Sequence, residues 1–290
     1  MIHAVKRIIP AFICIALAFA TPVAAQTASA TYGSNAAVGK YAAINGIKIY
    51  YEVYGQGKPM LLIHGNGGSI ADMRNQIEFF SKNYQVIAAD NRAQGKTSDA
   101  PGRITYEQMA DDINGLLDYL KIDSAYTIGW SDGGIIGLLM AIHHPAKIKM
   151  LAVMGANLQP DSSAVYPWAV KWVAQNAAQA AQMLQNKDTS RNWAIDAKLL
   201  DLLGKQPHIS LTDVAKIAAP TLVLGGDKDV IKEEHTMQIY HHISKSWLCI
   251  FPGGTHMMPV TDPALFNATV DRFFSKPYNR PDTKTFFGVQ

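Results

Sequence analysis

Ser131 stands in Gly129-Trp130-Ser131-Asp132-Gly133-Gly134, directly after the β-rich Tyr126-Thr127-Ile128 and ahead of the helical run Ile135 to Met140. Glycines two residues before and after a serine permit a sharp strand-to-helix turn. Such a turn holds the hydroxyl above a sheet edge, beside the free amides of the helix's first turn. That position suits nucleophilic attack, but a serine hydroxyl is weak at neutral pH and needs a base, itself oriented by an acid. The chain order expected around this turn is serine, acid, histidine. Downstream, Leu222-Val223-Leu224-Gly225-Gly226 runs into Asp227-Lys228-Asp229, and Ile250-Phe251-Pro252-Gly253-Gly254-Thr255 runs into His256. Both fall at the carboxyl ends of predicted strands, the edge on which open parallel sheets build their sites.

Nine histidines compete for the base. His143, His144, His241 and His242 close helices, His208 and His235 lack a strand-end setting, and His3 falls in an apolar leader. His64 is read as structural, which leaves His256. An oxyanion needs two fixed N–H donors, each contributing roughly 3 kcal/mol. One is the amide of Asp132. The other is assigned to the amide of Asn66, within His64-Gly65-Asn66-Gly67-Gly68, where glycines let a substrate approach the backbone. With no His-x-x-x-His pair and no cysteine cluster, neither a metal nor any other cofactor is expected. Trp130, Trp168 and Trp172, with Tyr166 and Trp193, are candidates to line an apolar pocket for substrate.

These residues need a sheet to hold them. Asn45-Gly46 between Tyr41 to Ile44 and Ile47 to Val53 is a strong hairpin signal. Strands at Met60 to Ile63, Gln85 to Ala89, Tyr126 to Ile128 and Met150 to Met154 then alternate with helices. Those helices run from Ile70 to Lys82, Tyr106 to Leu120 and Asp132 to His143. Uniformly apolar strands in this alternation mean a parallel sheet covered on both faces. From Gln159 to about Pro207 the chain reads as helices only, a cap over the sheet's carboxyl edge. The pattern resumes with Thr221 to Leu224, Glu233 to Ile243, Ser246 to Phe251 and Leu265 to Phe274.

Composition bounds the rest. Of 290 residues, 48% are hydrophobic and 17% charged, below the roughly 25% charged of an average soluble domain, so disorder is excluded over most of the length. A net charge of +3, dispersed without a like-charge run, gives no nucleic-acid footprint. Lys6-Arg7, the apolar run Ile8 to Ala20 and the small residues Val23-Ala24-Ala25 form the pattern of a secretory signal. Cleavage after Ala25 would export the protein to the periplasm or medium and leave no stable membrane insertion. Only Cys249 would remain, a buried inert thiol. The expected divisions are a signal at 1–25, a flexible leader at 26–37, a core at 38–158 and 213–290, and a helical cap at 159–212.

Taken together these motifs resemble the α/β-hydrolase superfamily over the whole mature chain. Met60-Leu61-Leu62-Ile63-His64-Gly65-Asn66-Gly67 is similar to its oxyanion segment. Asp90-Asn91-Arg92-Ala93-Gln94-Gly95-Lys96-Thr97-Ser98 is similar to its D-x-R-G-x-G-x-S loop, with Ala93 in place of the first glycine. The resemblance implies a mostly parallel eight-stranded sheet, helices on both faces and a small helical cap. It also selects Asp229 over Asp227, because the family's acid stands as G-x-x-D after this strand and Gly226 sets the count. Gly-Trp-Ser-Asp-Gly-Gly resembles the valacyclovir-hydrolase-like (biphenyl-hydrolase-like) branch of serine esterases, which implies that the Asp132 carboxylate could bind the ammonium of an α-amino acid ester. The expectation is a serine hydrolase of small carboxylic esters with Ser131, Asp229 and His256 as its triad. A cofactor-free perhydrolase or amidase is the enzymatic alternative, and a small-molecule binding protein the non-enzymatic one.

Overall fold

The central strands read as nearly unbroken apolar runs because neither of their faces meets water. In β3 (Lys58–Ile63), Met60 and Leu62 pack into one buried cluster, and Leu61 and Ile63 into the other. A strand's side chains alternate between faces, so an apolar run is buried only between two helical layers. The computed structural model describes residues 31–289. Its strands, besides β3, are β1 (Lys40–Ile44), β2 (Ile47–Tyr54), β4 (Tyr84–Ala89), β5 (Ala125–Trp130), β6 (Ile148–Met154), β7 (Thr221–Lys228) and β8 (Ser246–Thr255). They form one eight-stranded sheet in the order β1-β2-β4-β3-β5-β6-β7-β8. The hairpin β1–β2 and the pair β2–β4 are antiparallel, and every later pairing is parallel.

On one face, α1 (Arg74–Phe80) contributes Ile77 and Phe80, and α8 (Pro263–Phe274) contributes Phe266, Val270 and Phe273. On the other, α2 (Tyr106–Tyr119) supplies Met109, Ile113 and Leu116, and α3 (Asp132–His143) supplies Ile135, Ile136 and Leu139. Ile239 of α7 (Glu233–His242) joins the second group. The expected helix from Ile70 to Lys82 is split: a short 3-10 turn, Ile70–Met73, precedes α1. Ser69 and Asp72 form a capping box at that turn, which starts the chain on a tighter path.

Between β6 and β7 the chain is helical, with α4 (Pro167–Gln185), α5 (Trp193–Lys205) and α6 (Leu211–Val214). Leu199 and Leu202 of α5 are buried in the main core. Lys198 bonds Asp99 and the Ala100 carbonyl, and Arg103 pairs with Asp201 at 3.0 Å. Helix α4 is looser, burying only Ala169 and Ala180.

The flexible leader expected at 26–37 needs correcting over its described part. The Gly33 and Asn35 amides donate to the buried Glu52 carboxylate at 2.8 and 2.9 Å, and Tyr32 packs edge-on against Tyr54. Tyr50 and Tyr54 also donate to Glu52, at 2.6 and 2.7 Å. A carboxylate at 0% exposure requires such partners, and the segment supplies two of the four. The expected signal and residues 26–30 lie outside the described residues.

Candidate active site

The turn between β5 and α3 forces the geometry at Ser131. Its backbone has φ 57° and ψ −120°, a conformation costing a non-glycine residue roughly 1–3 kcal/mol. The flanking glycines allow it by close approach. A Cβ on Gly129 would lie 2.1 Å from the Gly133 carbonyl oxygen, and one on Gly133 would lie 2.1 Å from that of Ile63. No side chain fits either gap. The strain is offset by backbone bonds: Ser131 donates to the Met154 carbonyl, while Gly134 and Ile135 donate to that of Ser131.

Residues from three strand ends meet there. Ser131 Oγ lies 2.8 Å from His256 Nε2, and His256 Nδ1 lies 2.6 Å from Asp229 Oδ1. A carboxylate only accepts, so Nδ1 carries the proton and Nε2 presents its lone pair to the serine hydroxyl. Asp229 is 4% exposed and also accepts from the Ile231 amide at 3.1 Å, which fixes its plane. Asp227 does not reach His256; its carboxylate accepts from the Gly253 amide instead. Trp130 donates from Nε1 to the His256 carbonyl at 2.7 Å, so it anchors the histidine as well as lining the cavity. Gly155, at φ 63°, backs the imidazole: a Cβ there would lie 2.7 Å from His256 Nδ1. Sequence reasoning passed over Gly155, and its only signal was a glycine directly after a buried strand.

His64 shapes the loop after β3. It is fully buried, and burial holds its imidazole below the usual histidine range. The Asn91 amide can only donate to Nε2 (2.9 Å), and the Gly65 carbonyl can only accept from Nδ1 (2.7 Å), so the neutral ring carries its proton on Nδ1. Because His64 holds the Gly65 carbonyl, it also fixes the plane of the Gly65–Asn66 peptide, and the Asn66 N–H points away from the ring. Among the described residues, neither the Asn66 amide nor the Asp132 amide has a hydrogen-bond partner. In the loop after β4, Ala93 keeps a left-handed backbone, φ 61°, where the resembled motif has glycine. The turn survives the substitution.

Asp132 lies beneath the cavity. Its carboxylate is 1% exposed and is not part of the cavity wall. Tyr106 donates its hydroxyl to Oδ1 and Asn66 donates Nδ2 to Oδ2, both at 2.8 Å. Each oxygen is thus engaged by a buried donor below the cavity floor, and the carboxylate that would meet a substrate ammonium is not exposed there. Burial pushes this carboxyl up to about 6, against the bonds from Asn66 and Tyr106 and the proximity of His256, which favour the charged form. A folded value above the ordinary 3.8 means that the fold loses stability as pH rises from about 4 through about 6, and the loss stays constant above that. Asp132→Asn removes the charge and keeps both contacts only if the Tyr106 hydroxyl turns from donor to acceptor. Urea unfolding at pH 8 is expected to show it roughly 2 kcal/mol more stable than the parent, with no gain below about pH 4. Equal destabilisation at both pH values would refute this.

A cavity of about 570 Å³ opens over Ser131 and His256, within the range of small-molecule sites. Its wall includes Trp130, Trp168, Trp172, Val173, Leu203 and Ile231. Trp168 and Trp172, one turn apart on α4, are 60% and 53% exposed and so stand at the mouth. Tyr166 and Trp193 are not in this wall. Tyr166 donates its hydroxyl to Glu233 at 2.7 Å, and Trp193 bonds Asp188 beneath Arg191.

This sheet order, with a serine on the β5–α3 turn and a histidine and aspartate at neighbouring strand ends, defines a hydrolase of the α/β class. The chain belongs to the alpha/beta hydrolase fold family, whose profile matches residues 58–213. It is 28% identical to the serine hydrolase BPHL of Mus musculus over 261 residues, covering 84% of this chain and 88% of that one. It is 24% identical to 3-oxoadipate enol-lactonase 2 of Acinetobacter baylyi, covering 78% and 92%. In structure it is similar to the enol-lactonase from Burkholderia xenovorans LB400, with TM-score 0.70 and 21% identity over 82% of this chain and 100% of that one. The alpha/beta hydrolase MGS-M2 from a deep-sea metagenome gives a TM-score of 0.74 at 20% identity, covering 84% and 100%.

Proposed function

We propose that the protein is a serine hydrolase of small, uncharged carboxylic esters. The observation that carries this reading is the unbroken hydrogen-bonded line from Asp229 through His256 to Ser131, ending under an apolar cavity. Ser131 attacks the ester carbonyl while His256 Nε2 takes its proton. The amides of Asn66 and Asp132 receive the negative charge that develops on the carbonyl oxygen. His256 then passes its proton to the leaving alcohol, and water activated by the same ring clears the acyl-enzyme. Asp229 holds the ring in the working tautomer and offsets its transient charge.

Trp130, Trp168 and Trp172 receive the apolar part of the substrate. The Asp132 carboxylate is withheld beneath the floor and Asp72, the carboxylate in the cavity wall, already accepts from the Ser69 amide, so an ammonium would enter a largely apolar space at a desolvation cost. Turnover of p-nitrophenyl butyrate is therefore expected to exceed that of an α-amino acid ester of similar size by about tenfold or more in kcat/KM, and the matching anilide to be slower still. A preference for the amino ester would overturn the uncharged-substrate part, and a preference for the anilide the ester part. Export after cleavage at Ala25 belongs to the same reading, on the strength of the Lys6 to Ala25 pattern. It predicts a mature chain whose mass begins at Gln26, and a full-length mass in the exported fraction would count against it.

A further inference from the structure

We propose that the Tyr106–Asp132–Asn66 chain of side-chain hydrogen bonds is a clasp that fixes the two oxyanion-facing amides relative to one another, with Asp132 as the positioning residue at its centre. The proposal rests on the ester-hydrolase reading of Ser131. The two amides belong to residues far apart in sequence, on the loop after β3 and on the first turn of α3. Their side chains nevertheless meet directly, Asn66 Nδ2 donating to Asp132 Oδ2 at 2.8 Å. The Tyr106 hydroxyl, from the start of α2, holds the other oxygen at 2.8 Å, and Tyr106 is itself fully buried.

An aspartate in the first turn of a helix ordinarily faces that helix's free amides and the positive end of its dipole. Asp132 does not. The Gly134 and Ile135 amides are satisfied by the Ser131 carbonyl, and both carboxylate bonds go to other elements. A buried charge with no helix to cap is costly, and what it secures here is the spacing of two N–H groups. Asn66 is thus held twice, its peptide plane by His64 on the Gly65 carbonyl and its side chain by Asp132. The charged or titratable groups facing Asp132 are Tyr106 from α2 and His256 from the loop after β8.

Oxyanion stabilisation depends on donor placement, and a shift of about 1 Å can cost on the order of 100-fold in rate. Asn66→Ala and Tyr106→Phe each remove one arm of the clasp and leave both backbone amides in place. Each is expected to lower kcat for p-nitrophenyl butyrate by about 10- to 100-fold while KM stays within about threefold, because the loss falls in the transition state. In an Asp132→Ala background the Asn66→Ala loss should largely vanish, since the residue between them is gone. A substitution that merely loosened the pocket would move KM and would add to Asp132→Ala. Parent-like kcat in either single variant, or full additivity in the double variant, overturns the clasp. If the parent itself hydrolyses no ester and Ser131 resists fluorophosphonate, the ester-hydrolase reading falls and takes the clasp with it. An active parent matched by Asn66→Ala defeats the clasp alone.

Discussion

Alanine at position 131 is expected to lower kcat for a small ester by about 10⁶-fold, the scale seen when a serine nucleophile is removed from an intact triad. The size follows from the geometry. The only hydroxyl within reach of His256 Nε2 among the described residues is Ser131 Oγ, at 2.8 Å, so no neighbour can take over the attack. Residual turnover would come from the amides and the cavity alone. The fold should be indifferent to the change. The φ of 57° is imposed by the backbone bonds of the turn and the gaps at Gly129 and Gly133, and alanine carries the same Cβ as serine. Matching far-UV spectra and unfolding midpoints, beside a collapsed kcat, is the expected pair of results. Parent-like hydrolysis by the alanine variant would remove Ser131 from the mechanism.

The second large effect is expected at Asp229, where asparagine should lower kcat by about 10⁴-fold. The carboxylate accepts from His256 Nδ1 at 2.6 Å and from the Ile231 amide at 3.1 Å, with the Gly226 amide at 3.5 Å from its second oxygen. Every neighbour of this carboxylate is a donor, so the amino group of an asparagine meets an N–H whichever way it turns. Turned toward His256, it favours the tautomer protonated on Nε2, which cannot accept from Ser131. In either orientation the imidazolium loses its compensating charge. Pre-steady-state kinetics should show both acylation and deacylation slowed, because the same ring serves both steps. A loss below about tenfold would mean that another group orients the ring.

The strand-to-helix turn was legible because its constraint is local: the spacing of Gly129, Ser131 and Gly133 encodes the close approaches that the backbone makes. The covered sheet was legible for the same reason, since two helical layers leave Lys58 and Lys149, near the strand starts, as the only polar positions on β3 and β6. Strand ends were not. Lys228 pairs with Thr255 past an irregularity after Gly226, so β8 continues through Pro252-Gly253-Gly254, residues that read as a loop in isolation. Burial decided by distant elements was also hidden. Nothing near Asp132 in the sequence announces Tyr106 on α2, and nothing near Glu52 announces that it captures the amides of Gly33 and Asn35. Trp193 and Trp172 look alike as aromatics on helices, yet only Trp172 faces the cavity, because Arg191 and Asp188 engage Trp193 at the surface.

Covalent labelling with a fluorophosphonate followed by peptide mass mapping tests the ester-hydrolase reading most directly. A hydroxyl activated by His256 should take up one phosphonyl group per chain at neutral pH, on the peptide containing Ser131, in step with the loss of ester hydrolysis. The Ser131→Ala chain should take up none. An active chain that loses its hydrolysis through modification elsewhere, or that keeps turning over ester with Ser131 fully labelled, would contradict the account.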